Sequence, residues 1–416
     1  MGTDDIVPRE FVDVSGVGQR WHEGEQPSPF RQPVKHTPPP WPSAVFRDAP
    51  APPMTSTNDL TGQTPVQWRA WAKGLGLPEF RGDQCFSALW SGGANTFTEV
   101  KGLPKDLAAR LDTAARLVPG KEVRRQESRD GTVKSLLEMA DGKLVECVSI
   151  PTSDRHTICV SSQVGCAVGC TFCASGKNGV ERDLTPGEIA FQVLFHHRRR
   201  PVTNVVFMGS GEPLFNYDNV LAAIRLLAEP KGLGMGRRRF TVSTSGVPKR
   251  IRQLGVDEPQ VTLAFSIHAA DDETRSRIVP LNRRWPLQEV LEAMREYSDL
   301  VNRRMTFEYV LLGDDNMSEA HAKSLADVAR RFHAHINLIP FNPVFETPHR
   351  RPNWDQVETF AKWVDQLGGH VTVRGQRGAD IDAACGQLKR RTELDPPSMA
   401  EGDGIVANDS PPTRQA

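Results

Sequence analysis

Three cysteines fall close together in the run Gly165-Cys166-Ala167-Val168-Gly169-Cys170-Thr171-Phe172-Cys173-Ala174. The spacing C-x3-C-x2-C places three thiolates on one short loop. Three thiolates can hold three irons of a [4Fe–4S] cube and leave the fourth iron open to chelate a substrate. Zinc is the competing reading. A structural zinc site takes four ligands, usually as two separated pairs, and no matching second pair stands nearby, so the spacing favours the iron–sulfur cluster. The residue before the third cysteine is aromatic, Phe172, and can shield such a cluster.

A second landmark is Gly209-Ser210-Gly211-Glu212-Pro213-Leu214. Glycines let backbone approach a ligand closely, and a carboxylate can hold an ammonium group. Alone, Gly-Glu-Pro reads as a plain turn; its place at the end of a strand after the cysteine loop makes it specific. The other four of the seven cysteines are Cys85, Cys147, Cys159 and Cys385. Isolated cysteines are usually buried packing.

These residues need a scaffold, and the chain is long enough for one: 416 residues hold a large core plus appendages. Residues 1–63 are Pro-rich, include Pro38-Pro39-Pro40 and show no periodicity, so a disordered extension is expected, as is a polar tail over 396–416. Residues 64–152 read as a small accessory domain. Phe86, Leu89 and Trp90 begin a helical stripe that Leu103, Leu107 and Leu111 continue. Strand-like runs at 135–139 and 144–150 then flank the turn Asp141-Gly142. Residues 153–395 alternate strand and helix. The strand candidates are 157–161, 204–208, 240–243, 261–267, 305–312 and 336–340, short and rich in β-branched residues as buried parallel strands are. Thr185-Pro186-Gly187-Glu188 reads as a capping box that opens the first intervening helix. Other helices are expected near 218–227, 286–298, 318–332 and 354–367. Six such units predict an α/β fold, a partial parallel (β/α)6 barrel, with its chemistry at the C-terminal ends of the strands.

Lys+Arg and Asp+Glu both number 51, so the net charge is zero. That balance argues mildly against a nucleic-acid partner, but local fields bind RNA. Basic clusters stand at His196–Arg200, Arg237–Arg239, Arg283–Arg284, His349–Arg351 and Lys389–Arg391. Each has a plain alternative as solvated surface. No apolar run is long enough to span a membrane. The N-terminus reads MGTDD, without a secretory pattern, so a reducing cytoplasm is expected, where clustered cysteines mean metal or catalysis.

The cysteine loop followed by a β/α repeat resembles the radical S-adenosylmethionine (SAM) superfamily. A narrower resemblance covers about residues 65–390. CVSSQVGC (Cys159–Cys166), VVFMGSGEPL (Val205–Leu214), STSGV (Ser243–Val247), SIHA (Ser266–Ala269), NLIPFNP (Asn337–Pro343) and DIDAACGQL (Asp380–Leu388) are similar to the RlmN/Cfr family of radical SAM RNA methyltransferases. The resemblance implies that Cys166, Cys170 and Cys173 hold a [4Fe–4S] cluster. It implies SAM contacts at Gly211, Glu212, Ser243, Ser266, Ile267, His268 and Asn342. Cys385 matches the cysteine that is methylated and carries the methyl group. Cys159 matches the cysteine that resolves the protein–RNA adduct, and Glu146 matches the proposed base. The chain departs from the family pattern at Ser210, Ile267 and Ala379, where methionine, leucine and an acidic residue are usual.

Adenine carbons 2 and 8 are poor nucleophiles, so a polar methyl transfer should fail there. The implied route uses two SAM molecules. One methylates the Cys385 thiolate, an ordinary displacement. The other, cleaved at the cluster, gives a radical that takes hydrogen from that methyl group, and the carbon radical adds to the base. Cys159 then attacks the Cys385 sulfur, releases methylated RNA and leaves a disulfide for reductants to reopen. The implied substrates are an adenosine in 23S rRNA and a tRNA anticodon-loop adenosine, flipped into the barrel mouth. The implied electron donor is of the flavodoxin or ferredoxin kind, and a monomer is expected. Proline in Gly-Glu-Pro-Leu tilts towards the carbon-2 branch. Carbon-8 methylation, a small-molecule radical SAM enzyme and a metal-stabilised RNA-binding protein are the alternatives.

Overall fold

The computed structural model describes residues 60–344, 347–375 and 377–388. Residues 1–59, the 396–416 tail and the Lys389–Arg391 cluster lie outside the described residues. Within the 1–63 extension, the last four residues are described, and Leu60 and Thr61 are buried. Thr61 donates its hydroxyl to the Leu117 carbonyl at 2.7 Å.

Three helices come first: α1 (Pro65–Gly74), α2 (Phe80–Trp90) and α3 (Lys105–Ala114). Aromatic side chains of α1, α2 and the 3₁₀ turn at Phe97–Glu99 meet in a knot. Trp68 lies edge-on to Trp71 and Phe86, and Trp71 stacks on Phe97. Three antiparallel strands follow, β1 (Gly120–Glu127), β2 (Val133–Met139) and β3 (Leu144–Pro151). Next come β4 (His156–Cys159) and the small hairpin of β5 (Gln163–Gly165) and β6 (Val180–Asp183), which brackets the cysteine loop. The repeat then runs α4 (Pro186–His197), β7 (Asn204–Phe207), α5 (Tyr217–Leu227), β8 (Phe240–Thr244), α6 (Pro248–Asp257) and β9 (Thr262–Ser266). It closes with α7 (Asp272–Ile278), α8 (Leu287–Val301), β10 (Thr306–Leu311), α9 (Glu319–Arg331), β11 (His335–Pro340), α10 (Trp354–Gln366) and β12 (His370–Val373).

Among the described residues ten strands form one sheet in the order β1-β2-β3-β4-β7-β8-β9-β10-β11-β12. The strands from β4 to β12 in that order pair in parallel. The sheet is open, with β1 and β12 at its edges, so the barrel is partial, as the alternating pattern predicts. All six expected parallel strands are present. β12 is a seventh; its half-exposed residues carry little apolar signal. Phe207, Val242, Phe265, Phe307, Leu311 and Ile336 fill the interior with almost no exposed surface. Thr185 caps α4 as its sequence predicts: Glu188 donates its N–H to the Thr185 hydroxyl, and the Glu188 carboxylate accepts from the Thr185 N–H.

The division expected at 152/153 falls in the turn between β3 and β4, which pair antiparallel in the common sheet. The accessory strands therefore extend the barrel sheet at its β4 edge. The His196–Arg200 cluster, a candidate RNA surface by sequence, is engaged in this junction. His196 is buried, its Nε2 3.4 Å from Cys147 Sγ. Arg199 pairs with Glu122 of β1 at 3.1 Å, and Arg200 donates to the Thr152 carbonyl.

Burial drives the His196 pKa down to about 3. The unfolded chain takes up that proton near pH ~6.5. A depressed folded pKa means stability is complete above the unfolded value and drains as pH falls below it, at up to ~1.4 kcal/mol per pH unit. The urea midpoint should therefore drop between pH ~6.5 and ~4, and the drop should be shallower in His196→Gln. An unchanged slope in that variant would refute the assignment.

Candidate functional site: a cysteine-lined cavity at the strand ends

The C-terminal ends of the parallel strands surround a cavity of about 910 Å³, counting its open mouth. Cys166, Cys170 and Cys173 line one wall, and Cys385 lines another. Gly211, Glu212, Ser243, Ser266, His268 and Asn342 also face it. The sequence spreads these residues over more than two hundred positions; the parallel sheet collects them because they lie at or beyond the C-terminal ends of its strands.

The Gly209–Leu214 turn is held from both sides. Ser161, beyond β4, accepts from the Ser210 N–H at 2.9 Å and donates to the Glu146 carbonyl at 2.7 Å. Glu212 is buried, and its carboxylate accepts from the N–H groups of Ser245 (2.8 Å) and Leu214 (3.1 Å). Burial pushes its pKa up, and these hydrogen bonds oppose the shift. Ser210, the departure from the family pattern, meets Ser175 of the cysteine loop at 3.1 Å. Gly211 sits at φ +108°, where a Cβ would lie 2.7 Å from both Ser162 Oγ and Gln163 Cβ. Gly211→Ala should therefore displace the Glu212 backbone. We expect at least a ~10-fold weaker SAM affinity by calorimetry, a loss of about 1.4 kcal/mol; wild-type affinity would show that the turn tolerates a side chain.

Ser243 and Ser266 hydroxyls meet at 3.1 Å across β8 and β9. His268 adopts a left-handed backbone, φ +53°, uncommon for a residue other than glycine. Its Nδ1 accepts from the Val310 N–H at 3.1 Å, and its ring packs edge-on against Phe172, 4.9 Å between centroids. Burial first, and the Arg275 charge second, push its pKa down to about 3, so the ring is neutral. Ile267 differs from its expected neighbours: its side chain is fully buried in the core and is not part of the cavity wall. Among the described residues, the Asn342 Oδ1 is buried with no hydrogen-bond partner, while Nδ2 donates to the Cys385 carbonyl at 3.3 Å.

Cys385 is exposed to the cavity mouth, unlike the other six cysteines. Its segment is fastened to the cysteine loop by Ala174 N–H donating to the Gly386 carbonyl (2.8 Å) and Ser175 Oγ to the Leu388 carbonyl (2.9 Å). The enclosing walls push the Cys385 thiol pKa up, Arg374 opposes, and Glu308 adds to the rise. Cys159 lies outside the cavity wall, buried in an apolar cluster with Val148, Ala383 and Leu388. Burial first, then the Cys385 charge, raise its pKa to about 12. Glu146 is buried on β3, 3.5 Å from Lys134 Nζ, and does not line the cavity. The same Nζ donates to the Asp382 carbonyl at 3.1 Å, which ties this pair to the Cys385 segment. Cys147 is adjacent to Val148, whose register partner is Cys159, so it points to the opposite face of the sheet. It packs in the core, as does Cys85.

Among the described residues no three His, Cys, Asp or Glu side chains gather around one point as a single metal ion requires. The three thiols line one cavity, and three sulfurs from one loop suit a cube with one open iron better than a structural zinc with its four ligands. The orphaned Asn342 Oδ1 and the buried Glu212 carboxylate fit a ligand with hydrogen-bond donors and an ammonium group. Sequence reading missed Arg275, Glu308 and Arg374, because an arginine in a helix or a glutamate in a strand carries no signal until the fold buries it.

A strand-end cavity with a three-cysteine loop on a partial parallel barrel defines a radical SAM enzyme, and residues 160–326 match the Radical SAM superfamily. Such enzymes use a [4Fe–4S] cluster and SAM. The chain is 47% identical over 333 residues to the "Probable dual-specificity RNA methyltransferase RlmN" of Desulfitobacterium hafniense strain Y51, covering 77% of this chain and 93% of that protein. It is 45% identical over 343 residues to the protein of the same name from Synechococcus sp. strain RCC307, covering 80% and 98%. A crystal structure of a radical SAM methyltransferase from Sphaerobacter thermophilus matches with a TM-score of 0.78 and 42% identity, covering 80% of this chain and 99% of that one. The chain belongs to the RlmN family of RNA methyltransferases.

Proposed function

We propose that this enzyme methylates carbon 2 of an adenosine in 23S rRNA and of a tRNA anticodon-loop adenosine, through a methylated Cys385 and a covalent protein–RNA adduct. One observation carries the reading: Cys385 faces the cavity that the three loop cysteines line, and Cys159 is buried against the residues that flank Cys385. The dual specificity in the relatives' names supports two RNA substrates.

Cys166, Cys170 and Cys173 hold the cluster, while Glu212 and Asn342 offer SAM a carboxylate and an unpartnered carbonyl oxygen. Gly211, Ser243, Ser266 and His268 complete the pocket, and Ile267 contributes through its backbone, whose carbonyl is held by Arg275. When bound, these cofactors supply one-electron cleavage of a sulfonium and, with it, a hydrogen-abstracting carbon radical. Cys385 presents its sulfur as a methyl thioether, whose carbon becomes bonded to adenine C2. As that bond forms the ring carbon gives up its hydrogen as a proton and one electron: Glu146, tied to the Cys385 segment through Lys134, takes the proton, and the oxidised cluster would take the electron. Cys159 then attacks the Cys385 sulfur. The S–S bond forms as the S–C bond breaks, the CH2 left on the base takes up a proton, and a dithiol reopens the disulfide by exchange. The cavity mouth admits a base only if it is flipped from its stack.

The remaining proposals are an electron donor of the flavodoxin or ferredoxin kind, a monomer, and a cytoplasmic location. No helix among the described residues is long and apolar enough to cross a membrane. The test is anaerobic incubation of reconstituted enzyme with SAM, reductant and unmethylated 23S rRNA or tRNA, followed by nuclease digestion and mass spectrometry. 2-Methyladenosine is expected; 8-methyladenosine alone would overturn the carbon-2 assignment.

A further inference from the structure

Thr171 stands between the second and third loop cysteines. Among the described residues, hydrogen bonds at Thr171 alone tie the stretch from Ala167 to Phe172 to other elements. Its N–H donates to the Ile278 carbonyl at the end of α7, at 3.0 Å. Its hydroxyl meets His349 Nε2 at 2.7 Å. His349 belongs to the segment between β11 and α10, and its side chain is 5% exposed. The other ring nitrogen, Nδ1, lies 2.7 Å from a carboxylate oxygen of Asp315, in the turn between β10 and α9. A carboxylate accepts, so Nδ1 carries the hydrogen. In the neutral ring Nε2 then accepts the Thr171 O–H.

Both supports of Thr171 lead back to Asp315. Arg277, next to Ile278, donates from Nη2 to the Asp315 carbonyl at 3.2 Å, and its carboxylate lies 3.5 Å from the same nitrogen. That ion pair is exposed and adds little alone; the buried His349 bridge is the stronger link. The segment of His349 is also pressed onto the turn. Arg350 pairs with Asp314 at 3.0 Å, and a Cβ on Gly313 would lie 2.8 Å from the Arg350 carbonyl oxygen. The same turn reaches the opposite wall of the cavity through Asn316, which is buried. Asn316 Nδ2 donates to the carbonyls of His268 (2.9 Å) and Val310 (2.7 Å), and Oδ1 accepts from the Leu312 N–H (2.9 Å). One turn therefore holds the loop of Cys170 and Cys173 through His349, and the His268 backbone through Asn316.

We propose that His349 is a positioning residue of the cluster site: with Asp315 it grips the Thr171 hydroxyl and so fixes the loop that presents Cys170 and Cys173. The inference rests on the cluster assignment made above. Groups that orient the ligands of a metal site are typically worth ~10–100-fold in metal retention.

The test compares full-length wild type, T171V, T171S, H349F and the T171V/H349F double variant, each checked for folding by a urea melt. Valine removes the hydroxyl and keeps the shape of threonine. Phenylalanine keeps the ring that packs edge-on against Phe341, 6.1 Å between centroids. The first readout is iron release from anaerobically reconstituted protein to a ferrous chelator. T171V and H349F should each release iron about tenfold faster than wild type. The double variant should stay within about twofold of either single one, because both remove the same bond. T171S, which restores the hydroxyl, should stay within about twofold of wild type. Wild-type release from folded T171V and H349F overturns the proposal. So does T171S as labile as T171V, or a double variant about a hundredfold faster than wild type, the product of independent effects. If H349F does not fold, T171V against T171S decides. The second readout is alkylation of Cys170 and Cys173 by iodoacetamide in the metal-free protein, located by peptide mass spectrometry. If wild type binds no iron, the cluster assignment fails, and alkylation decides the grip by itself: faster labelling in T171V than in T171S supports it, and equal labelling overturns it.

Discussion

Replacing Cys159 with alanine is expected to stop the enzyme with its RNA still attached. The resting thiol is buried at the end of β4, and its pKa of about 12 keeps it protonated and unreactive before turnover. Its neighbours Ala383 and Leu388 bracket Cys385, so the sulfur it must attack is held on the same short segment. On the proposed route, the thioether link between Cys385 and the base would then have no internal thiol to break it. Cys147 cannot substitute, because it faces the other side of the sheet. Denaturing gels of Cys159→Ala with labelled RNA should show a crosslink that approaches one per enzyme, and tryptic mass spectrometry should place it on Cys385. Multiple-turnover rate should fall at least ~100-fold, about 2.7 kcal/mol. Methylation at the wild-type rate without a crosslink would end the two-cysteine mechanism.

The second large effect is expected at Cys170. The thiol sits at the cavity wall, where burial and the neighbouring cysteines push its pKa up. Cys170→Ala leaves two thiols where a cube needs three. Reconstituted protein should lose the broad visible absorption of the cluster, most of its iron and all measurable SAM cleavage, a loss of at least ~10⁴-fold. Cys85→Ala is the control. Cys85 is equally a buried cysteine, yet it packs among α1 and α2 side chains, and burial raises its pKa to about 11. Its loss should cost about 1–2 kcal/mol of stability in urea and no iron. Equal iron in both variants would remove the loop from the cluster.

Much of this protein was legible in its residues. Strand runs such as 204–208 and 336–340 stand out because buried parallel strands are continuously apolar, and the Thr185 capping box is a purely local signal. β12 escaped because its residues are only half buried. α6 escaped because its sequence, PKRIRQLGVD, has few apolar positions to set a period. The His196–Arg200 run divides: His196 is buried, while Arg199 and Arg200 stay exposed and also reach Glu122 and the Thr152 carbonyl.

The sequence by itself determined the chemistry available: three thiols at C-x3-C-x2-C, two more at Cys159 and Cys385, and strands whose ends carry Gly211–Glu212, Ser243, Ser266–His268 and Asn342. Residue type and local spacing suffice for that, since both are properties of the chain before it folds. Only the tertiary structure decided which thiol is exposed and which is buried, that Ile267 turns inward, and that Glu146 lies beside Lys134 and outside the cavity wall. It alone placed Arg275 under the strand ends, donating to the Ile267 and Ser245 carbonyls. Burial and proximity arise from packing between segments far apart in the chain, and no local pattern encodes them.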